Sequence, residues 1–284
     1  MAEFFIEIGS EEIPSGYIEP ALKYMKEEIS SFFLRHRIEA ENSITMGTPR
    51  RLVVSVKGVT TMQKDSVDEF LGPGVSVAYD EKGQPTKAAI GFARGKGLDV
   101  NSLTRKTTPK GEVVCALIEN KGRATSSLLN EYLPQLIQEI PFQKKMRWAN
   151  NSRPFARPLH WVAALFDGKA LEFEFDGIAN DIFSRGHRFL KPEHFQIDGV
   201  KSYLKKCDQH FVMVDPETRK KSISAQVHSL AKQAGGHIKE DEDLLNLVNF
   251  LVEYPVAIKG DFDSKFLKLP KELLVISMKS HQKY

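Results

Sequence analysis

The spacing of apolar residues near the start of the chain changes from the period of a strand to that of a helix. Phe4, Ile6 and Ile8 occupy alternate positions near the start of the chain, which predicts a half-buried strand that ends at Gly9-Ser10. Apolar residues then recur at steps of three and four over positions 22–33, which predicts a helix with Pro20 in its first turn. We expect the apolar face of this helix to pack against a sheet.

The same reading predicts four elements in the middle of the chain. Runs rich in valine and other strand-forming residues at 52–56 and 113–118 predict strands. A short helix containing alanine and glycine is expected between them, at 88–94. Helical spacing returns at 128–140.

The clearest local signal is a hairpin. Two apolar runs, 161–166 and 170–175, flank the dipeptide Asp167-Gly168. This pair suits the positive φ angles of a tight primed turn, so the two runs are expected to form antiparallel strands.

The pattern becomes mainly helical after about residue 198. Helix-like spacing is found at 200–204, 223–230 and 244–251, and the acidic run at 240–243 is placed where it favours the start of a helix. The fold class predicted is α+β. A mixed sheet region is expected over 1–195 and a mainly helical region over 196–284.

The last residues, 277–284, follow a helix-like run from Lys271 without a glycine, a cap or a polar tail. This ending predicts that the sequence is an amino-terminal piece of a longer protein. No internal repeat, low-complexity tract or long Gly/Ser linker interrupts the chain, so composition does not mark a domain boundary sharply.

Composition places the chain among globular proteins and excludes general disorder. The 284 residues are 41% hydrophobic and 27% charged, and the length predicts about two domains. The formal net charge is only +3, so a nucleic-acid surface would require local clustering of basic residues. Cys115 and Cys207 have neither CxxC spacing nor a histidine at ligand spacing, and no signal or membrane segment is present. A reducing compartment, the cytoplasm, is expected.

The densest basic stretch runs from Lys144 to His160 and contains no acidic residue. Cations that bind phosphates are interleaved there with flat rings that stack on bases or sugars, which predicts RNA contact. The candidate residues in this stretch are Lys144, Lys145, Arg147, Trp148 and Arg157. The alternative is a loop whose arginines pair with distant carboxylates and whose aromatic rings belong to the core.

A second compact basic motif is Ser184-Arg185-Gly186-His187-Arg188-Phe189. Gly186 would allow the backbone to approach a phosphate closely, while Arg185 and Arg188 would donate hydrogen bonds to it. A structural turn explains the same residues equally well.

Other candidate sites have weaker support. An imidazole group in water titrates near neutrality and can serve as an acid or base. Neither His160 nor His187 has a recognisable serine, cysteine or aspartate partner, so a structural role is favoured over acid–base catalysis. Glu7, Glu11 and Glu12 would supply carboxylates to a metal, yet no spaced set of further ligands follows them.

Two further motifs contain glycine or arginine where anions often bind. The segment at 91–97 lacks the spacing of a phosphate-binding loop and falls in a predicted helix, so nucleotide binding is rejected there. Thr48-Pro49-Arg50-Arg51 would present two arginines at the entrance of a strand, although proline before a strand is also an ordinary structural device. Position alone leaves both readings open.

Several motifs in fixed order resemble the β subunit of the bacterial heterotetrameric glycyl-tRNA synthetase, over essentially the whole chain. They are Phe5-Ile6-Glu7-Ile8-Gly9-Ser10-Glu11-Glu12-Ile13-Pro14, Thr48-Pro49-Arg50-Arg51-Leu52, Gly72-Pro73, Pro85-Thr86-Lys87-Ala88-Ala89, Gly91-Phe92-Ala93-Arg94, Met146-Arg147-Trp148, Phe155-Ala156-Arg157-Pro158-Leu159-His160-Trp161, Ser184-Arg185-Gly186-His187-Arg188-Phe189, Leu251-Val252-Glu253-Tyr254-Pro255-Val256 and Ser277-Met278-Lys279-Ser280-His281-Gln282-Lys283-Tyr284. The family's β subunit is longer and includes an HD-like domain. The HD dipeptide is absent here, so no metal site of that kind is carried over to any residue.

The resemblance implies a subunit of a glycine–tRNA ligase, in which ATP is used to form glycyl-adenylate before glycine is transferred to tRNA. In this family the α subunit is the one that resembles a class II catalytic core, and ATP and Mg are expected to bind there. The present piece is predicted to be inactive alone and to bind no cofactor. The implied partners are the α subunit and glycine tRNA, in a heterotetramer of two α and two β subunits. The implied fold of the amino-terminal region resembles the B3/B4-type domain of phenylalanyl-tRNA synthetase β chains.

Three hypotheses follow. The first is a noncatalytic part that binds tRNA, with Lys144, Lys145, Arg147, Arg157, Arg185 and Arg188 contacting phosphates and Trp148 stacking or packing. The second is a protein–protein scaffold with no direct RNA contact, because interfaces also favour arginine and tryptophan. The third, proofreading hydrolysis of the B3/B4 type, has little support, because no nucleophile paired with a base is visible and a tight pocket can exclude amino acids larger than glycine.

Overall fold

The computed structural model describes residues 1–148 and 153–283, and its strands and helices alternate irregularly along the chain. The strands are β1 (Ala2–Ser10), β2 (Ser43–Thr48), β3 (Arg51–Val59), β4 (Ser66–Gly74), β5 (Thr104–Thr108), β6 (Gly111–Asn120), β7 (Leu159–Phe166), β8 (Lys169–Ala170), β9 (Glu174–Phe175), β10 (Ile178–Asp181), β11 (Phe183–Arg185) and β12 (His194–Gln196). The helices are α1 (Ser15–Arg35), α2 (Val75–Ala78), α3 (Lys87–Gly95), α4 (Thr125–Glu139), α5 (Val200–Gln209), α6 (Pro216–Gln233), α7 (Glu242–Asn249) and α8 (Lys271–Ile276). Short 3-10 turns lie at Val100–Ser102 and Ser264–Lys268, and a π-helical turn at Ser277–Gln282 follows α8.

The chain forms two compact units. One consists of Met62–Ala124, and the other of Met1–Thr61 together with the described residues from Thr125 onward. The predicted α+β class with a mixed sheet is confirmed in the larger unit, where β2, β3, β1, β7, β10 and β9 are neighbours in that order. Strand β1 pairs antiparallel with β3 and β7, whereas β10 runs parallel to β7.

Strand β1 lies at the centre of the larger unit and is buried on both faces. Phe4, Ile6 and Ile8 point to a core shared with α1 and α4, while Phe5 points to a second core that includes Tyr203 of α5. The expectation of a half-buried strand was therefore wrong. The charged residue between these positions, Glu7, is itself fully buried, because an arginine described below neutralises it.

Helix α1 begins earlier than the sequence pattern predicts. It starts at Ser15 after Pro14, so Pro20 is the sixth residue of the helix and does not lie in its first turn. The apolar face predicted at positions 22–33 is buried as expected against the sheet. The early start brings Ile18 and Ala21 into the same core.

The predicted hairpin is confirmed at its turn and is shorter than expected in its second strand. Asp167 and Gly168 both have positive φ angles, 53° and 73°, as a primed turn requires. Strand β8 covers only two residues, and β9 pairs with β10 rather than with β7. Asn180 fills the resulting gap, since its side chain exchanges hydrogen bonds with the backbone of Ala164 and donates one to Leu171.

The smaller unit is a three-stranded antiparallel sheet, in the order β4, β6, β5, with α2 and α3 against it. Its core is built from small residues: Ala78, Ala89, Ala93 and Ala116 pack with Val114. The pattern predicted β6 and α3 within this stretch but not a separate unit. The division predicted at residue 195 stays a prediction. The structure adds that α5, beyond that position, packs in the same core as β1 and β7.

The other local predictions in the described residues agree with the structure. The predicted strands at 52–56 and 113–118 and the predicted helices at 200–204 and 223–230 fall within β3, β6, α5 and α6. The helix predicted at 128–140 corresponds to α4, which ends one residue earlier. Helix α7 begins in the acidic run, where the side chain of Asp241 caps Leu244 N at 3.1 Å. Cys115 and Cys207 are both buried and free. None of the described helices combines the length and the hydropathy needed to cross a bilayer.

Candidate functional site

A buried arginine lies at the point where β1 ends and β3 begins. Arg51 pairs with Gly9 in the register of the two strands, and its side chain is fully buried. Its Nη1 is 3.2 Å from Glu7 Oε1, and its Nε is 2.8 Å from Glu253 Oε1. A buried charge requires such partners, because an unpaired ion in the interior costs several kcal/mol or more.

Two hydroxyl groups complete what we call the buried arginine network, which consists of Glu7, Thr48, Arg51, Tyr203 and Glu253. Thr48 donates to Glu253 Oε1 at 2.7 Å, and Tyr203 donates to Glu7 Oε1 at 3.0 Å. Burial alone would lower the pKa of Arg51, but the carboxylates of Glu253 and Glu7 raise it well above the usual value. Burial alone would raise the pKa of Glu253. The charge of Arg51 opposes this effect and lowers the pKa below its usual value.

Arg51 also fixes the second basic motif. Its Nη1 donates to Ser184 Oγ at 3.2 Å and to the Arg185 carbonyl at 2.6 Å, and its Nη2 donates to the Gly186 carbonyl at 3.2 Å. A Cβ at Gly186 would lie 1.9 Å from the Lys191 carbonyl oxygen, so glycine is required there for backbone packing. The sequence suggested that Gly186 allows the backbone to approach a phosphate closely. In the structure, the group that approaches Gly186 is the backbone carbonyl of Lys191.

The indole of Trp161 in β7 lies flat on Gly9. A Cβ at Gly9 would be 2.0 Å from two ring atoms, so only glycine leaves room for the ring. Three guanidinium groups surround this ring, with Arg185 at 4.9 Å, Arg51 at 5.3 Å and Arg50 at 5.9 Å from its centroid. Cation–π attraction at such distances stabilises each arginine against the ring.

The rim of this cluster contains acidic and basic groups. Glu11 Oε1 is 2.8 Å from His160 Nε2, and Arg188 Nη1 is 3.2 Å from Glu11 Oε2 and 3.5 Å from Glu12 Oε1. The hydrogen bond from His160 is the main cause that lowers the pKa of Glu11, and the charge of Arg188 adds to it. Arg185 Nη2 donates to the His160 carbonyl at 3.2 Å. The structure thus brings Arg185 and Arg188 together and gives both of them partners within the chain.

His187 has a structural role in this arrangement. Its Nδ1 accepts hydrogen bonds from the backbone N–H groups of Phe189 and Leu190, at 3.3 and 3.2 Å. Burial lowers the pKa of His187, and the charges of Arg51, Arg50 and Arg188 lower it further, against the opposing effect of Glu253. The imidazole is therefore held neutral, with Nδ1 as an acceptor.

The first basic motif is a more open segment, and we call residues 144–148 the basic segment. Met146 pairs with Phe155 through two backbone hydrogen bonds of 2.7 and 3.1 Å, and these anchor the segment. Lys145 Nζ donates to the Gln138 carbonyl at 2.9 Å. Trp148 is half-buried and packs against the main core.

Lys144 and Arg147 have no such partner. Both side chains are exposed, and neither takes part in an ion pair or side-chain hydrogen bond with any residue in 1–148 or 153–283. Arg157, farther along the stretch, is half-buried and donates to the Ala156 carbonyl at 2.9 Å. Of the seven candidate residues, Lys144 and Arg147 are thus the two whose charge is most available to a ligand.

Sequence reasoning missed the residues that hold the interior together. Glu253 and Tyr203 were not among the candidates, and neither was Arg219, which donates to the carbonyls of Asn249 and Gly47 at 2.8 and 2.9 Å and to that of Met213. One signal was available. Glu253 is a single carboxylate in the apolar run 251–256, which indicates a buried charge in need of a cation.

Comparison with known proteins identifies the family. The family model described as the glycyl-tRNA synthetase β subunit matches residues 4–284. The chain is 48% identical over 284 residues to the glycine–tRNA ligase β subunit of Geobacter metallireducens, 49% identical over 282 residues to that of Citrifermentans bemidjiense, and 46% identical over 282 residues to that of Geobacter sulfurreducens. These alignments cover at least 99% of the chain and 41% of each relative. The chain therefore belongs to the glycyl-tRNA synthetase β-subunit family and spans about two fifths of the length of the relatives it matches.

Proposed function

We propose that this chain is a noncatalytic part of the β subunit that supports ATP-dependent attachment of glycine to its tRNA by contacting the tRNA backbone through the basic segment. The observation that carries the proposal is the exposure of Lys144 and Arg147 without an acidic partner in the described residues. Membership of the glycyl-tRNA synthetase β-subunit family supports tRNA as the polyanion in this proposal.

The chemistry of the basic segment suits a phosphate backbone. The ammonium group of Lys144 and the guanidinium group of Arg147 can each replace counterions along an RNA strand. Trp148 is half-buried against the core, so its role is to fix the segment by packing. Arg157, Arg185 and Arg188 are further cations proposed to contact the tRNA, although each of them also has partners in the chain.

The chemical steps are assigned to a different subunit. In this proposal, ATP and Mg are bound by the α subunit, and no residue of this chain is given a catalytic role. The complete enzyme is proposed to be a cytoplasmic heterotetramer of two α and two β subunits. The resemblance of the amino-terminal sheet to a B3/B4-type domain is proposed on the same basis and would supply the scaffold for the basic segment.

One observation favours a second candidate function, assembly with another protein. Large apolar side chains are exposed along the carboxy-terminal part of the described chain. They are Val256, Ile258, Phe262, Phe266, Leu267, Leu269, Leu273, Val275, Ile276 and Met278. Apolar surface of this extent is typical of a protein contact. A scaffold that binds the α subunit without touching RNA would use this surface and leave the basic segment free.

The first test is binding of labelled glycine tRNA to the chain, measured by fluorescence anisotropy at fixed salt. We expect the double variant Lys144→Gln/Arg147→Gln to bind at least about tenfold more weakly, because two charge-assisted contacts are removed. The matched control is Lys23→Gln/Lys26→Gln, which removes two exposed charges from α1 and is expected to change affinity less than about twofold. Equal affinity of both double variants and the unaltered chain would refute the proposal.

The second test separates the two candidate functions. Purified α subunit is passed over the immobilised chain after nuclease treatment. Capture of the α subunit by a chain that does not bind tRNA would favour the scaffold. Salt-sensitive tRNA binding that is lost in the Lys144→Gln/Arg147→Gln variant supports the RNA contact, whether or not the α subunit is also captured.

A further inference from the structure

Arg50 differs from its neighbour Arg51 in having no hydrogen-bond partner for a buried charge. The residue is only 7% exposed, and its Nε is buried and unpartnered. Among residues 1–148 and 153–283, no carboxylate forms an ion pair with its guanidinium group. Buried guanidinium groups are normally paired, so this arrangement lacks an acceptor.

A second buried donor lies beside Arg50 and also lacks a partner. Trp161 is 6% exposed, and its Nε1 has no acceptor among the described residues. The Arg50 guanidinium lies 5.9 Å from the centroid of this indole. The cluster therefore contains two buried N–H donors without an acceptor, and each can bond to a group that carries oxygen atoms.

Two more arginines extend these donors toward the surface. Arg185 is half-buried and lies 4.9 Å from the Trp161 ring, and Arg188 is exposed at the rim. Burial lowers the pKa of Arg50 against the opposing charge of Glu253, and the charges of Arg188 and Arg51 lower it further. The three arginines thus range from exposed to buried, as a ligand entering from solvent would require.

The acidic groups nearby form their ion pairs with other residues. Glu7 and Glu253 each bind Arg51 through one oxygen, and Glu11 is shared between His160 and Arg188. Among the described residues, no carboxylate forms an ion pair with Arg50 or Arg185. An anion with several acceptor oxygens would bind both and would relieve the repulsion between Arg50 and Arg188.

We propose that Arg50, Arg185 and Trp161, with Arg188 at the rim, form a binding site for one phosphate group. A phosphate offers several oxygens on one centre, so it can accept hydrogen bonds from more than one of these side chains. The phosphate can belong to an RNA backbone or be free in solution. The RNA source rests on the proposed function, whereas phosphate binding at this site does not require Lys144 or Arg147 to contact RNA.

The probe is inorganic phosphate, titrated against chloride at equal ionic strength. The chain contains two tryptophans, so the Trp148→Phe variant leaves Trp161 as the only indole reporter. We expect a saturable change in Trp161 fluorescence with phosphate and none with chloride. Arg185→Gln is expected to weaken phosphate binding by about tenfold or more, and Lys23→Gln/Lys26→Gln to leave it unchanged. Arg50→Gln should abolish phosphate binding. Arg50 is buried, so this variant can fail to fold. In that case the half-buried Arg185→Gln variant still decides the test.

Two results would overturn the site: a phosphate titration identical to that of chloride, as expected if water alone occupies the position, or unchanged phosphate affinity in a folded Arg185→Gln variant. Glycine tRNA added at saturating phosphate identifies the source. Loss of the phosphate signal assigns the site to the RNA backbone, and its retention assigns it to free phosphate. If tRNA binding itself is absent while phosphate still binds, the proposed function fails and the phosphate site stands.

Discussion

The buried arginine network and the basic segment contain the same kinds of residue in opposite situations. In the network, Arg51 is fully buried and bonded to Glu7 and Glu253. In the segment, Lys144 and Arg147 are exposed and bonded to no acidic residue that the structure describes. Charged residues that look alike in sequence therefore divide into buried groups that stabilise the fold and exposed groups that are available to a ligand.

The difference depends on where the partner lies along the chain. Glu253 is 202 positions from Arg51, and Glu7 is 44 positions away. Such partners come together only after β1, β3 and the segment following α7 have packed. The loss of a network residue should therefore affect folding, whereas loss of a residue in the basic segment should affect binding.

The largest effect is expected from Arg51→Gln. This change leaves two buried carboxylates, Glu7 and Glu253, without their cation, so the free energy of unfolding should fall by about 3–5 kcal/mol. Urea unfolding followed by circular dichroism measures the loss. A decrease of the free energy of unfolding by less than about 1 kcal/mol would show that the buried arginine network contributes little to stability.

A smaller loss is expected from Gly9→Ala. The new Cβ would meet the Trp161 ring at 2.0 Å, and overpacking of this kind typically costs about 1–3 kcal/mol. Gly16→Ala is the matched control, because nothing lies within 4 Å of its Cβ position in α1. The control should be neutral or stabilising by up to about 1 kcal/mol, as alanine is favoured in helices. Equal stabilities of the two variants would contradict the close packing of Trp161 on Gly9.

A pH effect is expected from His187. Its folded pKa is lowered by burial, whereas in the unfolded chain it titrates near pH 6.5. Between these two values the unfolded state binds more protons, so the free energy of unfolding should fall as the pH drops below about 6.5 and level off below the folded pKa. Urea unfolding at about pH 7.5 and about pH 5.5 measures this decrease. His187→Gln should reduce it, and an unchanged pH dependence in that variant would assign the effect to another group.

The smallest effect on stability is expected from Lys144→Gln/Arg147→Gln. Because neither side chain has a described partner, the free energy of unfolding should stay within about 0.5 kcal/mol of the original value. Thermal unfolding monitored beside the Arg51→Gln variant provides the comparison. A decrease in the free energy of unfolding as large as that of Arg51→Gln would show that Lys144 and Arg147 stabilise the fold.

Local patterns predicted the elements whose causes are local. The turn at Asp167-Gly168, the helix that starts in the acidic run before α7 and the apolar face of α1 all follow from neighbouring residues. The burial of β1 on both faces was not predicted, since Glu7 made its second face look polar. Arg51, the cation that neutralises Glu7, lies in β3 and is 44 positions away along the chain. The sequence around Glu7 therefore does not reveal why this carboxylate can be buried.

The candidate site shows the same limit. Both basic motifs were found from sequence, but the pattern does not reveal that Arg188 is paired with Glu11 while Arg147 is unpaired. Thr48-Pro49-Arg50-Arg51 left two readings open, and the structure shows the structural one for Arg51, which bonds to Glu253. Arg50 Nε is buried with no acceptor among the described residues, so anion binding at Arg50 stays a proposal.

The most direct test of the account is the salt dependence of glycine tRNA binding, compared between the unaltered chain and Lys144→Gln/Arg147→Gln. Each phosphate contact contributes about 0.7–0.9 to the slope of log affinity against log salt concentration. The account predicts that the slope of the double variant is shallower by about 1.5, with the fold intact. Parallel lines for two folded proteins would contradict it, because they would show that neither residue contacts a phosphate.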